Sequence, residues 1–198
     1  MGLELSYVPG QTPLSEEEKE GLLIKTISNR SELDEFEQQN IEQAVEWSLK
    51  REFKLEDILS ETFIKDLHKR MLGDVWKWAG SFRLSEKNLG IDWMQIPIAV
   101  RNLFDDCKFW IENKTYPEDE IAVRFKYRLV SIHPFPNGNG RHSRLMADIL
   151  ISDGLSKPIF TWGNSPLVKS DVTRNTYISA LVEADNGNIK PLLKFSRS

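Results

Sequence analysis

Residues 133 to 144, with the sequence HPFPNGNGRHSR, combine a histidine, a glycine-rich turn and two arginines within twelve residues. Gly138 and Gly140 permit positive φ angles and a close approach of the backbone to a ligand. The next helix is predicted to begin near Gly140, and the first N–H groups of a helix bind anions because they have no intrahelical acceptors. Arg141 and Arg144 can reach one face of that helix, where a polyphosphate would relieve the repulsion between them. The pattern predicts a phosphate site; a plain loop between core helices, with solvated arginines, is the alternative.

The spacing differs from that of the commoner nucleotide and zinc motifs. The chain contains neither G-x-x-x-x-G-K-[ST] nor a G-x-G-x-x-G after a predicted strand. It has no H-E-x-x-H, and its histidines besides His133 are His68 and His142, so a zinc site has little support. A lone histidine such as His133 is more often a packed or capping residue, and it gains interest here from its glycine and arginine neighbours.

The composition bounds what the rest of the chain must do. The 198 residues, 40% hydrophobic and 28% charged, suit one globular domain with an ordinary core. A net charge of −4 argues against a general nucleic-acid binder. The single cysteine, Cys107, excludes an internal disulfide. The N-terminal sequence does not resemble a signal peptide, and no apolar run reaches the length of a membrane span, so we expect a bacterial cytoplasmic protein.

The elements that must position the loop are predicted to be mostly helical. Apolar periodicity predicts helices over residues 31–51, 55–72, 97–113 and 117–131, from the loop to Gly154, and in 171–185 and 189–195. Residues 83–96 are predicted to form a small β-hairpin around the polar Asn-Leu-Gly stretch. The fold class is therefore mostly α, a helical bundle with one hairpin.

HPFPNGNGRHSR closely resembles the Fic motif, HxFx[D/E]GNGRxxR, and the resemblance extends over most of the chain. VWKWAGSFR is similar to the aromatic stretch ahead of the Fic flap, NLGIDWMQIP to the flap, and TYISALVEADNGNIKPLLKF to the usual C-terminal end. The opening PGQTPLSEEEKEGLL and the Ser31–Trp47 helix resemble the subgroup called mobile mystery protein B. The resemblance implies a single Fic domain over residues 1–198, with residues 1–52 an N-terminal extension. The subgroup further implies a helix-turn-helix partner protein.

The Fic resemblance implies an adenylyltransferase that moves AMP from ATP to a Ser, Thr or Tyr hydroxyl of a target protein. His133 would be the general base, and Phe135 would anchor the loop in the core. The phosphates would be bound by Gly138, Asn139, Gly140, Arg141 and Arg144, with Asn139 on the α-phosphate and the arginines on the outer phosphates. The hairpin would be a flap that binds the target segment by adding a strand, through Leu89, Gly90, Ile91, Asp92 and Trp93.

One residue departs from the Fic motif. The Asp or Glu that would bind Mg²⁺ is replaced by Asn137. An amide oxygen can coordinate Mg²⁺ or Mn²⁺, but it lacks the charge of a carboxylate, so metal affinity and activity should fall. A weakly active or non-catalytic nucleotide-binding module, regulatory or toxin-like, is therefore the alternative function.

The predicted helix over residues 31–51 has a carboxylate on its apolar side. At about 100° per residue, Glu37 lies among apolar residues whereas Glu35 lies on the polar side. A buried carboxylate needs a partner, so a structural salt bridge is one interpretation. The Fic resemblance implies another, in which an inhibitory glutamate pairs with Arg144 and blocks the γ-phosphate. The pattern [S/T]xxxE[G/N] fits Ser31 and Glu35 only in spacing, so Glu37 is preferred and Glu35 is the alternative.

Overall fold

The computed structural model describes residues 12–164 and 171–198, and within them it is mostly helical. The first eleven residues of the predicted N-terminal extension lie outside the described residues. In chain order the helices are α1 (Glu16–Glu20), α2 (Arg30–Leu49), α3 (Leu55–Ile58), α4 (Glu61–Leu72), α5 (Ile96–Glu112), α6 (Glu118–Ile132), α7 (Asn139–Ile149), α8 (Asp171–Asp185) and α9 (Lys190–Ser196). Short helical turns of other types cover Trp93–Gln95, Leu150–Gly154 and Trp162–Asn164.

The core is built around α6, which packs against α5 on one side and α7 on the other, with α9 also against it. Its buried side chains include Phe125 and Leu129, which are almost fully excluded from solvent. The antiparallel pair of α6 and α7 brackets the loop of residues 133–138. Because both helices are anchored by this core, the ends that meet at the loop are held in place.

The N-terminal extension is docked against the rest of the chain by both main-chain and side-chain contacts. Ser15 and Glu18 form a capping box that starts α1. The N–H of Leu23 donates to the carbonyl of Val75 at 2.9 Å, and the indole of Trp78 donates to the carbonyl of Glu18 at 3.0 Å. The helix α2 then packs along α4. The extension is thereby held against the segment that leads into the predicted flap.

The predicted hairpin over residues 83–96 is not formed. Within the described ranges, β pairing is limited to one isolated bridge between Leu22 and Trp76. Residues 83–92 form an irregular loop, because the buried Arg83 side chain, rather than a facing strand, binds its carbonyls. Arg83 donates to the carbonyls of Ser85 and Ile91, and its own N–H donates to the carbonyl of Pro134 at 2.9 Å. We call residues 83–92 the flap loop below.

Across residues 12–164 and 171–198, every helix is too short or too polar to cross a lipid bilayer.

Candidate active site

His133 ends α6 with a backbone conformation that is uncommon for a residue other than glycine. Its φ and ψ angles are 56° and 59°, in the left-handed region, which costs about 1–2 kcal/mol for an L-residue. The conformation is held from both sides, since the N–H of His133 donates to Leu129 at 3.3 Å and Arg83 Nε donates to the carbonyl of His133 at 2.7 Å. Such strain is often found at functional positions, where the surrounding structure maintains it.

The two ring nitrogens of His133 have different partners, which fixes the tautomer. Nδ1 lies 3.3 Å from the carbonyl oxygen of Val130, which can only accept, so Nδ1 carries the proton. Nε2 lies 2.9 Å from the hydroxyl of Thr12. Burial lowers the pKa of His133 to about 4, so the ring is neutral at pH 7. Nε2 therefore has a free lone pair that accepts the Thr12 proton, which is the arrangement a general base requires.

The loop that follows is braced by Asn139 and His68. The Asn139 side chain accepts from the N–H of Phe135 at 2.9 Å and donates to the Phe135 carbonyl at 2.8 Å. These two hydrogen bonds tie the Asn139 side chain to the backbone of Phe135. His68 stacks on Phe135 at 3.7 Å between centroids and donates from Nε2 to the carbonyl of Asn137 at 3.0 Å. Burial lowers the pKa of His68 to about 3, so it acts as a neutral brace.

The two glycines of the loop differ in what they require. Gly138 has a φ of 76°, and a Cβ there would lie 2.6 Å from Leu72 Cδ1, so only glycine fits. Gly140 lies within α7 without a positive φ, and an added Cβ would meet only the Tyr177 hydroxyl, at 4.0 Å. Of the two glycines that permit a positive φ, Gly138 adopts one and Gly140 does not. The helix α7 begins at Asn139, so its first N–H groups lie at the loop as predicted.

Asn137 offers limited support for a metal ion. Its Oδ1 accepts from the N–H of Gly138 at 2.6 Å, and its Nδ2 donates to the carbonyl of Thr12 at 3.2 Å. Over the described ranges, no group of three or more His, Cys, Asp or Glu side chains could hold a metal. Asn137 Oδ1 is thus a neutral oxygen that already accepts one hydrogen bond.

Glu37 is buried as predicted, but its partner is Arg141 and not Arg144. Glu37 Oε2 lies 2.6 Å from an Arg141 guanidinium nitrogen, and its Oε1 accepts from the Trp76 indole at 2.7 Å. The side chains of Arg141 and Glu37 are 18% and 5% exposed, so the arginine can still be reached from solvent. Glu35 is exposed on the opposite face of α2. The partner was predicted wrongly because Arg141 and Arg144 are three residues apart, less than one helical turn, and the placement of α2 relative to α7 decides which of them meets Glu37.

Arg144, three residues further along α7, contacts a second group of side chains. Its guanidinium carbon lies 5.1 Å from the centroid of the Tyr177 ring, and the Lys126 ammonium lies 4.2 Å from the same centroid. Lys126 is fully buried and donates to the Tyr177 hydroxyl. Burial and the nearby Arg144 cation both lower the pKa of Lys126 well below its ordinary value. An anion bound at Arg144 would offset this concentration of positive charge.

The flap loop lies directly over the backbone of His133. Gly90 has a φ of 102°, and a Cβ there would lie 2.6 Å from the Cβ of His133. The N–H of Ile91 donates to the carbonyl of Ile132 at 3.4 Å. Leu89, Gly90 and Asp92 are exposed, whereas Ile91 and Trp93 are half-buried. The predicted flap residues therefore border the candidate base, with three of them open to solvent.

Sequence reasoning missed residues that complete the site from a distance. Thr12 carried no motif, and its contact with His133 joins residues 121 positions apart. Arg83 and Lys87 were singled out only as part of the predicted hairpin. The only signal that could have singled out Arg83 is a charged residue flanked by Phe82 and Leu84, which is weak because most such residues are solvated.

Comparison with known proteins provides independent findings. The Fic/DOC family model matches residues 58–151. The protein adenylyltransferase Fic of Drosophila grimshawi is 31% identical over 151 residues, which are 74% of this chain and 28% of that protein. The protein adenylyltransferase fic-1 of Caenorhabditis elegans is 27% identical over 146 residues, 72% of this chain and 27% of that protein. This chain thus spans little more than a quarter of the length of these relatives.

Among solved structures, this chain is similar to the BepC protein of Bartonella tribocorum, a VirB-translocated effector crystallised with bound AMPPNP. The TM-score is 0.68 at 18% identity, and the match covers 87% of this chain and 88% of that chain. At this identity the likeness shows a shared fold.

Proposed function

Residues 58–151 form a domain of the Fic/DOC family, and from this premise we propose that the chain is a protein adenylyltransferase that moves AMP from ATP to a hydroxyl side chain of a protein. The single observation that carries the proposal is the hydroxyl that lies 2.9 Å from Nε2 of a neutral His133. A hydroxyl becomes a nucleophile when a nearby base takes its proton, and distance and tautomer both suit that transfer.

In the proposed reaction, the acceptor oxygen forms a bond to the α-phosphorus of ATP. The bond from that phosphorus to the leaving pyrophosphate breaks, and His133 Nε2 takes the hydroxyl proton. The protein must hold the reactants in line and neutralise the phosphates. The N–H groups at the start of α7, including those of Asn139 and Gly140, would bind phosphate oxygens, with Gly138 allowing their close approach. Arg141 and Arg144, three residues apart on α7, would bind the outer phosphates.

Asn137 would help to hold a Mg²⁺ or Mn²⁺ ion, which would supply positive charge against that of the phosphates. Asn137 Oδ1 would be the protein oxygen nearest to such an ion. Because the amide is neutral and already accepts from the N–H of Gly138, we expect a weak dependence of metal affinity on this residue.

We propose that Glu37 restrains the enzyme. Its ion pair with Arg141 occupies a cation that the outer phosphates of ATP would need. ATP must displace the carboxylate or bind without Arg141, and either route lowers the rate of transfer. Glu35, on the solvated face of α2, is not expected to contribute.

The target would approach over the flap loop. Its exposed residues lie beside His133 and form no strand of their own within the described chain, so their main-chain groups are available for an extended target segment to bind. Leu89 and Trp93, at the two ends of this exposed stretch, would contact target side chains.

The test is incubation with Mg²⁺ or Mn²⁺ and ATP labelled at the α-phosphate, followed by detection of label on protein. Covalent label that depends on His133 supports an adenylyltransferase. Binding of AMPPNP without any covalent label would instead support the alternative, a nucleotide-binding module that lacks catalysis. The neutral Asn137 would then be one cause of the lost activity.

Three broader assignments are proposed on sequence resemblance alone. The chain would be a single Fic domain over residues 1–198, with residues 1–52 as its extension. It would belong to the mobile mystery protein B subgroup and work with a helix-turn-helix partner. The single, buried Cys107 is compatible with a bacterial cytoplasmic location.

A further inference from the structure

The N-terminal segment places one of the chain's own hydroxyl groups against the candidate base. Thr12 is 6% exposed, and its hydroxyl lies 2.9 Å from His133 Nε2. We propose that Thr12 is itself an AMP acceptor, modified by the active site of the same molecule. This inference rests on the proposed function and adds to it a specific site of modification.

Thr12 is held in this position by contacts on both sides of the active site. Asn137 Nδ2 donates to the Thr12 carbonyl at 3.2 Å, and Lys87 Nζ, from the flap loop, donates to the Pro13 carbonyl at 3.0 Å. Lys87 also forms an ion pair with Glu18, in which both side chains are largely buried. The segment is therefore bound by the loop that follows His133 and by the flap loop, the two elements that would otherwise surround a target.

The hydrogen bond runs in the direction that the reaction needs. Nδ1 of His133 carries a proton toward the Val130 carbonyl, so Nε2 can only accept, and the Thr12 hydroxyl must donate. A valine at position 12 would fill the same space but could not donate a hydrogen bond to Nε2. The hydroxyl is thus the feature of residue 12 that this contact selects.

The covalent step balances with ATP as the co-reactant. The Thr12 oxygen bonds to the α-phosphorus, the bond to pyrophosphate breaks, and the hydroxyl proton moves to His133 Nε2. The product, O-adenylylated Thr12, has no hydroxyl proton left to donate, so the contact with His133 is lost. Modification would therefore release the segment and expose His133 to the hydroxyl of another protein.

In the structure the phosphate side is restrained by Glu37 on Arg141, so self-transfer should be faster once that ion pair is removed. The experiment therefore compares the wild-type chain and Glu37→Ala, each with intact Thr12, Thr12→Val or Thr12→Ser. His133→Ala in the Glu37→Ala protein serves as the negative control. Thr26→Val is the matched control, since Thr26 is an exposed threonine of the same extension. Each protein is incubated with ATP and Mg²⁺, and labelled peptides are identified by mass spectrometry.

We expect one AMP on Thr12, with a fractional rate that does not depend on protein concentration because the transfer is intramolecular. Thr12→Val should remove this label, Thr12→Ser should keep it, and Thr26→Val should leave it unchanged. AMPPNP binding, measured by the shift in melting temperature, should persist in Thr12→Val.

Label on other residues with Thr12 unmodified would overturn this inference and leave the adenylyltransferase standing, with Thr12 acting only as a cover. A rate on Thr12 that rises in proportion to protein concentration would overturn the intramolecular route. Absence of label on every residue of every variant, with AMPPNP still bound, would overturn both this inference and the proposed function.

Discussion

The two ends of the candidate site are closed by the same N-terminal extension through different chemistry. At the His133 end the contacts of Thr12 are neutral hydrogen bonds, each contributing about 1 kcal/mol net. At the Arg141 end, Glu37 makes a largely buried ion pair, and removing one partner of such a pair costs about 3–5 kcal/mol. Each hydrogen bond of Thr12 is therefore worth less than the cost of removing one partner of the Glu37–Arg141 pair.

The difference also determines what can open each end. A polyphosphate carries the same sign of charge as the Glu37 carboxylate and can replace it on Arg141 without leaving the cation unpaired. Another hydroxyl can replace Thr12 at His133 Nε2, because that nitrogen accepts a hydrogen bond from any donor of suitable size. Under the proposed function, the Arg141 end would respond to ATP and the His133 end would respond to the hydroxyl that is present.

The largest expected effect is at the base. His133→Asn removes the proton acceptor, and asparagine tolerates the left-handed backbone of this position better than most residues. Transfer should fall by about 10²–10⁴-fold, the usual contribution of a general base, while AMPPNP affinity measured by calorimetry should stay near that of the wild type. If transfer survives this substitution, His133 is not the general base. The comparison between a base end and a phosphate end of the site would then no longer hold.

The next effect is at the ion pair. Glu37→Ala should lower the free energy of unfolding by about 3 kcal/mol, toward the low end of the range for a buried pair because Arg141 is partly exposed. It should also raise AMP transfer, since Arg141 becomes available to ATP. Urea unfolding and the label assay measure the two effects.

Glu35→Ala is the matched control for Glu37→Ala, because Glu35 lies exposed on the same helix and should change neither quantity. Destabilisation of Glu37→Ala without any gain in transfer would reduce Glu37 to a structural residue. Activation by Glu35→Ala alone would transfer the inhibitory role to that residue.

A smaller effect concerns pH. Burial lowers the pKa of His133 to about 4, so between pH 6.5 and 4 the unfolded chain binds a proton that the folded chain does not. Stability should therefore decrease as the pH falls through that window. Removal of residues 1–14 uncovers the His133 ring, and the pKa of His133 should rise toward its ordinary value by about 1–2 units. The pH range over which stability decreases should then become narrower.

Titration of the His133 ring by NMR in the full and shortened chains measures this shift directly. His68 and His142 are buried with lowered pKa values of their own, so they serve as internal references that should not move. An unchanged His133 pKa would mean that the core, rather than the N-terminal segment, keeps water from the ring.

The smallest effect is expected for Asn137→Asp. The carboxylate loses the donation to the Thr12 carbonyl, worth about 1 kcal/mol, and adds a negative charge for a divalent ion. The Mg²⁺ concentration for half-maximal transfer should fall, and Thr12 should be displaced more easily. A metal titration identical to that of the wild type would place Asn137 away from the ion and leave it as a tether for Thr12.

The mostly helical fold was predictable because apolar periodicity is clear in long helices such as α4, α5 and α7, and the similarity to the BepC structure confirms it. The burial of Glu37 was predictable for the same reason, since it depends only on the face of one helix. Its partner was not, because the choice between Arg141 and Arg144 depends on how α2 and α7 are placed around the core. The hairpin prediction was wrong because the polar stretch before Ile91 was interpreted as a turn between two strands. In the structure the Arg83 side chain binds the carbonyls of Ser85 and Ile91, and no strand pairing forms there.

Thr12 shows the limit most clearly. Nothing local to the sequence distinguishes it from other threonines, and its role follows from a contact across most of the chain. Such a contact is a property of the assembled core, which neither periodicity nor motif spacing encodes. For the same reason Lys87, whose importance lies in binding Pro13 and Glu18, could not be separated from solvated lysines.

The loop of residues 133–138 joins the C-terminal end of α6 to the N-terminal end of α7, and these two helix poles carry opposite partial charges of about half an elementary charge each. The imidazole sits at the negative pole, which favours the cation it becomes on taking a proton. The phosphates would sit at the positive pole, which favours the charge they carry. The two helix ends that meet at this six-residue loop thus form an electric field. That field would favour a proton at His133 and negative charge at the start of α7.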